Sequence, residues 1–100
     1  MQSHQSRLVI GNGIECLCTF YHNGKANVMI IDSVFVPEFF RGHGYGTQLI
    51  EEAIKVAKLE KVDCIELVVN KDNTIAKHLY EKLKFKKTNK EYYRLILNKL

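Results

Sequence analysis

Residues 34–54 read "VFVPEFFRGHGYGTQLIEEAI", in which an arginine and three alternating glycines separate an apolar run from an amphipathic one. A helix begins with unsatisfied N–H groups and a partial positive charge, so a loop that bares its backbone at that point suits a phosphate group. Glycine lets such an anion approach the backbone closely. The stretch therefore predicts a strand, an anion-binding loop and a helix in succession.

Downstream of the loop, apolar and charged residues recur with the period of an amphipathic helix of about four turns. The apolar positions are Leu49, Ile50, Ala53, Ile54 and Ala57. The next apolar run, "CIELVV" at 64–69, predicts a buried strand, so strand, loop, helix and strand form a right-handed βαβ unit. Residues 73–85 then predict a second helix with Asn73 as its cap, and "EYYRLIL" at 91–97 predicts a closing strand.

Upstream of the loop, turn signals divide the chain into β-like runs. "RLVI" at 7–10 and "IECLCTFY" at 14–21 predict strands separated by a turn at "GNG". "HNGK" at 22–25 contains the Asn-Gly pair favoured in two-residue hairpin turns. The apolar run from Ala26 to Val36 predicts a central strand buried on both faces, which Pro37 ends because proline has no N–H donor for the ladder. These elements predict an α+β fold, of the three-layer α/β type, with flanking helices and a mixed, mostly antiparallel central sheet.

Length and composition restrict the class of protein. A chain of 100 residues that is 46% apolar and 26% charged fits one globular domain, residues 1–100. Neither a run of roughly 20 apolar residues nor a secretory signal is visible, so we expect a cytoplasmic protein. Cys16 and Cys18 fall on one face of a predicted strand, which favours buried thiols over half of a metal site; no metal is predicted. The net charge of +4 comes from scattered lysines and arginines, so nucleic-acid binding is not predicted.

The spacing of the glycines argues against two nucleotide motifs and for a third pattern. A P-loop ends in Gly-Lys-Ser/Thr, whereas Gly46 is followed by Thr47, and the dinucleotide fingerprint needs a third glycine one position later. The loop resembles the acyl-coenzyme A loop of the GCN5-related N-acetyltransferases (GNAT), with Arg41, Gly44 and Gly46 at the positions of that family's Arg/Gln, Gly and Gly/Ala.

A second segment supports the same resemblance. "NTIAKHLYEKLKF" at 73–85 is similar to the family's Asn, Ala, Leu-Tyr, Lys, Gly-Phe helix, with Lys84 where the family usually has glycine. That departure should alter the C-cap of the helix rather than the chemistry. The resemblance covers roughly residues 26–97, the expected coenzyme-binding core.

The resemblance implies an acetyl-coenzyme A dependent N-acetyltransferase with a V-shaped splay between its two central strands. The pantetheine arm would enter the splay as a pseudo-strand, with Asn73 in contact with the coenzyme. Backbone N–H groups near Phe35 and Val36 would hold the thioester carbonyl. The pyrophosphate would lie on the amides of Gly42, His43, Gly44, Tyr45, Gly46 and Thr47.

Tyr80 and Asp32 are the candidate catalytic residues. Tyr80 matches the family tyrosine that protonates the departing thiolate; the alternative is a tyrosine that only packs in the core. Asp32 interrupts an apolar strand, where a buried carboxylate without a partner would be costly, and is a candidate for the general base. Equally, it could face the open end of the sheet, pair with a lysine and merely shape the acceptor site. Glu38, His43 and His22 are weaker candidates for the base.

The acceptor is the least determined part of the prediction. Only ten residues precede the "GNG" turn, which is too few for the strand and two helices that begin most family members, so we expect a reduced form or a fragment. An open acceptor groove would suit a protein lysine or N-terminus, and the exposed flank could serve as a homodimer interface. The alternatives are a non-catalytic acyl-coenzyme A sensor and an acetyltransferase for polyamines or aminoglycosides.

Overall fold

The computed structural model describes residues 3–69, 72–88 and 92–97, which form one mixed sheet and two α-helices. The sheet has the order β1-β2-β3-β4-β6-β5, and only the β3–β4 pair is parallel. The α+β class with a mostly antiparallel mixed sheet is therefore confirmed. The strands are β1 (Ser3–Gly11), β2 (Ile14–His22), β3 (Asn27–Phe35), β4 (Cys64–Val68), β5 (Lys86–Lys87) and β6 (Tyr92–Ile96). The helices are α1 (Tyr45–Leu59) and α2 (Thr74–Lys82), and a 3₁₀ turn spans Glu38–Phe40.

Two hairpins open the chain, and their turns differ. Between β1 and β2, Asn12 and Gly13 form a two-residue turn with φ of 55° and 80°, the positive values that a tight hairpin turn requires. The turn predicted at "GNG" is confirmed. Between β2 and β3 the loop has four residues, so the two-residue turn predicted at "HNGK" is wrong although the hairpin itself is confirmed. The side chain of Asn23 explains the longer loop, because its Oδ1 accepts hydrogen bonds from the N–H groups of Lys25 and Ala26.

Both helices pack against the same face of the sheet. Side chains of α1 and α2 share one core with alternate residues of the central strands, and Leu83, just after α2, lines a surface cavity together with Ile54 of α1. The core contains Cys16, Cys18, Met29, Ile31, Ile65, Leu67, Leu49, Ile50, Ala53, Tyr80 and Tyr93. At 15 and 9 residues, the two helices of the described chain are too short and too polar to span a bilayer. The opposite side of the sheet, where the described residues place no helix, is called the open face below.

The two central strands part halfway along β3. The parallel pairing of β3 with β4 ends at Ile31 and Leu67, whereas the pairing of β3 with β2 continues to Phe35. At the point of parting, the β2–β3 register is interrupted by a β-bulge that leaves Asp32 as an extra residue. At the other end, Asn27 N–H donates to Asp63 Oδ2 and Asp63 N–H donates to the Asn27 carbonyl, both at 2.8 Å. The strands are thus tied at one end and open at the other, as the expected splay requires.

The expected burial of the long strand on both faces holds only for its first half. Val28, Met29 and Ile31 are buried, whereas Asp32, Ser33 and Phe35 are exposed. The change coincides with the loss of β4 as a neighbour. The gap beside the second half of β3 therefore has a polar and exposed border on the open face.

Each helix ends with a lysine in the left-handed conformation, at φ of 58° for Lys61 and 75° for Lys84. At the end of α2, the Lys84 N–H donates to the Glu81 carbonyl and the Phe85 N–H donates to the Tyr80 carbonyl, both at 3.0 Å. The end of α1 has the same pair of bonds, at 3.1 and 2.9 Å. These pairs define a Schellman cap, in which glycine is the usual residue. The expectation that Lys84 affects the C-cap of the helix is confirmed.

Replacing Lys84 with glycine should therefore stabilise the protein. The left-handed conformation costs a residue with a Cβ about 1–2 kcal/mol, and the greater flexibility of unfolded glycine offsets part of the gain. We expect the free energy of unfolding, measured by urea denaturation, to rise by about 0.5–1 kcal/mol. The matched control is Lys82→Gly, inside α2, which should lower the free energy of unfolding by about 1 kcal/mol. Effects of the same sign in both variants would contradict this account of the cap.

Candidate active site

The loop before α1 exposes backbone amides to solvent. Gly44 is the N-cap of α1 with φ of 82°, and no side chain caps this end of the helix. The first intrahelical bond runs from the Gln48 N–H to the Gly44 carbonyl at 3.0 Å, so the amides of the preceding turn have no acceptor within the helix. A Cβ built on Gly42, Gly44 or Gly46 would meet no atom within 4 Å. The loop thus presents an open, positively polarised surface that fits an anion.

Arg41 fastens this loop to the end of the central strand region. Its Nε donates a hydrogen bond to the carbonyl of Val36 at 2.9 Å, although the residue is exposed. Phe40 packs edge-on against Tyr45 with ring centroids 6.0 Å apart, and His43 lies 6.4 Å from the same ring. Sequence reasoning missed the contribution of Phe40, whose only signal was its place between Pro37 and the loop. Together these contacts hold the loop at the mouth of the β3–β4 gap.

Tyr80 lies on the helix-covered side of the sheet. It is 9% exposed, and its ring packs 5.9 Å from Phe85 and 6.2 Å from Tyr93. Burial raises the pKa of Tyr80, and the nearby Cys16 thiol adds to the rise. The hydroxyl is therefore protonated at neutral pH, which is the state a general acid needs. Core packing and acid catalysis, which were alternatives in the sequence, are compatible in the structure.

The two cysteines of β2 are buried, as predicted, and Cys16 lies near Tyr80. Their Sγ atoms are 3.6 Å apart, and neither residue is more than 1% exposed. The hydrogen bond with Cys18 and burial both raise the pKa of Cys16, so this thiol stays neutral. Among the described residues, no three His, Cys, Asp or Glu side chains are grouped so that they could hold a metal ion. The pair therefore forms part of the apolar wall behind Tyr80.

Asp32 is exposed on the open face, so the expectation of a buried carboxylate within an apolar strand is wrong. The bulge turns its side chain toward β2, where the Thr19 hydroxyl donates a hydrogen bond to Asp32 Oδ2 at 2.6 Å. The partner shown is a threonine, not the lysine that the alternative interpretation required. Asp32 nonetheless lies where β3 and β4 part, across the sheet from the side on which Tyr80 packs. The two catalytic candidates thus lie on opposite faces of the sheet, Tyr80 near Cys16 of β2 and Asp32 at the parting of β3 from β4.

The other candidates divide between the gap and remote positions. The side chain of Phe35 is 51% exposed at the end of β3, and Val36 follows it directly. Asn73 caps α2, because its Oδ1 accepts a hydrogen bond from the Ala76 N–H at 3.0 Å. Glu38 is exposed on the 3₁₀ turn, near the loop. His22, by contrast, is at the far end of β2, where its Nδ1 lies 3.1 Å from Asn27 Oδ1.

Thr19 is the residue of this region that sequence reasoning missed. A threonine within a β-like run is common and carries no signal of its own. Its relevance comes from the register between β2 and β3, because the bulge brings Asp32 against its hydroxyl. Only a knowledge of the cross-strand pairs could have identified it.

Comparison with known proteins agrees with this geometry. An uncharacterized N-acetyltransferase of Methanocaldococcus jannaschii is 38% identical over 73 residues, which cover 72% of this chain and 32% of that relative. The chain therefore spans about a third of the length of that relative.

Solved structures share the fold. An acetyltransferase from Bacillus cereus superposes with a TM-score of 0.80 at 22% identity, covering 95% of this chain and 74% of the other. A chain of the NatC complex bound to Gag peptide and CoA gives a TM-score of 0.72 at 27% identity, covering 87% of this chain and 61% of the other. In addition, residues 10–85 match the model of the acetyltransferase (GNAT) family. Because that match takes in most of the chain, including the loop, the gap and Tyr80, the chain belongs to the GNAT family of acetyltransferases.

Proposed function

We propose that the chain transfers the acetyl group of acetyl-coenzyme A to a primary amine of a protein, either a lysine side chain or an N-terminus. The observation that carries the proposal is the uncapped glycine loop at the start of α1, directly beside the gap between β3 and β4. Membership of the GNAT family supports it. The similar NatC complex, which was solved with a peptide and CoA, supports a polypeptide acceptor.

The donor would be held along the gap, from the loop inward. The amides of Gly42–Thr47 suit the pyrophosphate, and the unpaired edge of β3 suits the amide groups of the pantetheine arm. Tyr80 is close enough to Cys16 for the thiol to affect its pKa, and Cys16 pairs with Val34 across the sheet. That register supports a position for the departing sulfur at the level of Val34, next to the Phe35 and Val36 amides proposed for the carbonyl. Asn73, at the start of α2, would contact the coenzyme in addition to capping the helix.

Asp32 and Tyr80 are the residues proposed to move the protons that acetyl transfer requires. An amine acceptor is protonated at neutral pH, so it must lose one proton before its lone pair can attack, and Asp32 accepts that proton. The C–N bond forms as the C–S bond breaks. Tyr80 donates its phenolic proton to the departing sulfur and recovers a proton from the new amide nitrogen. The net products are the acetylated amine, the free thiol and one proton released to solvent.

Thermal unfolding with acetyl-coenzyme A tests the donor site directly. Binding to the folded state alone should raise the free energy of unfolding by about 2.7 kcal/mol when the ligand is at a hundredfold excess over its Kd. AMP, which lacks both the pyrophosphate and the pantetheine arm, is the control and should give a much smaller effect. No stabilisation by acetyl-coenzyme A would contradict the proposal.

Turnover then separates an enzyme from a coenzyme sensor. Release of free thiol should be measured with peptides that carry either a free N-terminus or a single lysine, and with polyamines. Stabilisation without thiol release on any amine would favour the sensor. Release with polyamines but not with peptides would contradict the polypeptide acceptor.

A further inference from the structure

The described strands carry three carboxylates on the open face, and two of them are neutralised by arginine. Glu15 of β2 forms an ion pair with Arg7 at 3.5 Å. Glu66 of β4 forms a closer pair with Arg94, at 2.6 Å, and also accepts a bond from the Arg94 Nε at 2.9 Å. The third carboxylate is Asp32, whose partner is the uncharged hydroxyl of Thr19. Of these three groups, Asp32 is therefore the one whose charge remains available to a cation.

This distribution also changes what the overall charge implies about the acceptor. The chain carries a net charge of +4, which does not suggest an acidic acceptor site. The two arginines of the described strands, however, are each bound to a glutamate, so they do not offset the charge of Asp32, whose partner is the Thr19 hydroxyl. An ammonium group approaching the gap from this face would be attracted to Asp32.

The bond from Thr19 fixes how Asp32 is presented. Asp32 is the extra residue of a β-bulge, a position without a regular cross-strand partner to hold its side chain. Thr19 is a half-buried, β-branched residue in a strand, so its side chain has few accessible rotamers. Its hydroxyl holds Oδ2 at 2.6 Å and is the one hydrogen-bond donor to this carboxylate among the described residues. The other carboxylate oxygen, Oδ1, can therefore accept a hydrogen bond from the ammonium group of the acceptor.

We propose that Thr19 is a positioning residue that orients the Asp32 carboxylate, so that Oδ1 receives the proton of the acceptor ammonium at the point where β3 and β4 part. The inference rests on the proposed acetyl transfer and adds a residue to it. Thr19 does not touch the donor or the acceptor; it acts through Asp32. Its effect should therefore appear in the use of the amine and not in the binding of acetyl-coenzyme A.

A double-mutant cycle tests this role. Thr19→Val keeps the shape and the strand preference but removes the hydroxyl, while Thr19→Ser keeps the hydroxyl. With saturating acetyl-coenzyme A, Thr19→Val should lower kcat/KM for the amine about tenfold, which is the size of effect typical of losing a hydrogen bond to a charged group. Thr19→Ser should recover most of the activity. In the Asp32→Asn background, Thr19→Val should have little further effect, because the two residues act as one unit.

Two other outcomes of the cycle would contradict the role of Thr19. An equal loss from Thr19→Val in the wild-type and Asp32→Asn backgrounds would show that the threonine acts through the fold, and full activity of Thr19→Val would overturn the proposal outright. Thermal unfolding with and without acetyl-coenzyme A, run on the wild type and the four variants, should give the same stabilisation by the ligand. A wild-type protein that binds the ligand but acetylates no amine would overturn the proposed function, and the role of Thr19 with it.

Discussion

Tyr80→Phe is expected to lower kcat for acetyl transfer by about a hundredfold or more, because general acid catalysis typically contributes 10²–10⁴-fold. The substitution removes only the hydroxyl, and phenylalanine keeps the ring contacts with Phe85 and Tyr93. We therefore expect the melting temperature and the stabilisation by acetyl-coenzyme A to change little.

The raised pKa of Tyr80 also predicts how the activity of the wild-type protein depends on pH. Activity that depends on the Tyr80 proton should persist to pH values above about 10, the ordinary pKa of tyrosine, and be lost as the pH rises through the raised value.

Tyr93→Phe is the matched control for this experiment. Tyr93 is 1% exposed, belongs to the same core and packs against Tyr80, but it lies on β6 and no part in the chemistry is proposed for it. Burial and the neighbouring Glu81 raise the pKa of Tyr93. Phenylalanine keeps the ring in the core, so this variant should lose no more than about 1 kcal/mol in the free energy of unfolding and leave kcat unchanged. If Tyr80→Phe kept full activity, or if Tyr93→Phe lost as much activity as Tyr80→Phe, the acid role of Tyr80 would be wrong.

Gly44→Ala is expected to weaken the binding of acetyl-coenzyme A at least tenfold, as measured by isothermal titration calorimetry. Gly44 has φ of 82°, a conformation that costs a residue with a Cβ about 1–2 kcal/mol. A methyl group there would clash with no protein atom, because nothing lies within 4 Å. The effect should therefore come from a change in the loop backbone, which moves the amides at the start of α1 away from the anion.

Gly46→Ala separates this conformational effect from the effect of adding a methyl group to the loop. Gly46 lies in the first turn of α1 without a positive φ, and a Cβ there also meets nothing within 4 Å. Alanine is the better helix former, so this variant should fold at least as well as the wild type. The acyl-coenzyme A loop pattern admits alanine at this position, so binding should be retained. Equal losses of affinity in the two variants would contradict the argument from φ.

Much of the fold could be predicted because its elements carry clear periodic patterns. The apolar spacing of α1 and the continuous apolar run of β4 identified both elements within one or two residues. β5 has only two residues, Lys86 and Lys87, and so is too short to show a pattern. The loop between β2 and β3 was misjudged in length because the Asn23 side chain competes for the backbone N–H groups, which the Asn-Gly signal does not reveal.

The candidate site was predictable where it is built from backbone and was not where it depends on register. The glycines of the loop predicted exposed backbone amides at the start of α1, and the helix motif indicated Tyr80 as a candidate catalytic residue. The sequence left open whether Asp32 is buried or faces the open end of the sheet, because a bulge depends on which residues of β2 and β3 are opposite each other. The contact of Thr19 with Asp32 depends on the same register, because the two residues are thirteen residues apart in sequence and 2.6 Å apart across the strands.

The parting of β3 from β4 also bears on aggregation. Beyond Ile31, no described residue pairs with β3 on the side of β4, and an unpaired strand edge can pair with a foreign chain. The features that shape the gap are ones that natural sheets use to prevent such pairing: a bulge, an aspartate at that bulge, and Pro37 just past the strand end. These features should therefore keep the open edge of β3 from pairing with a second copy of the chain.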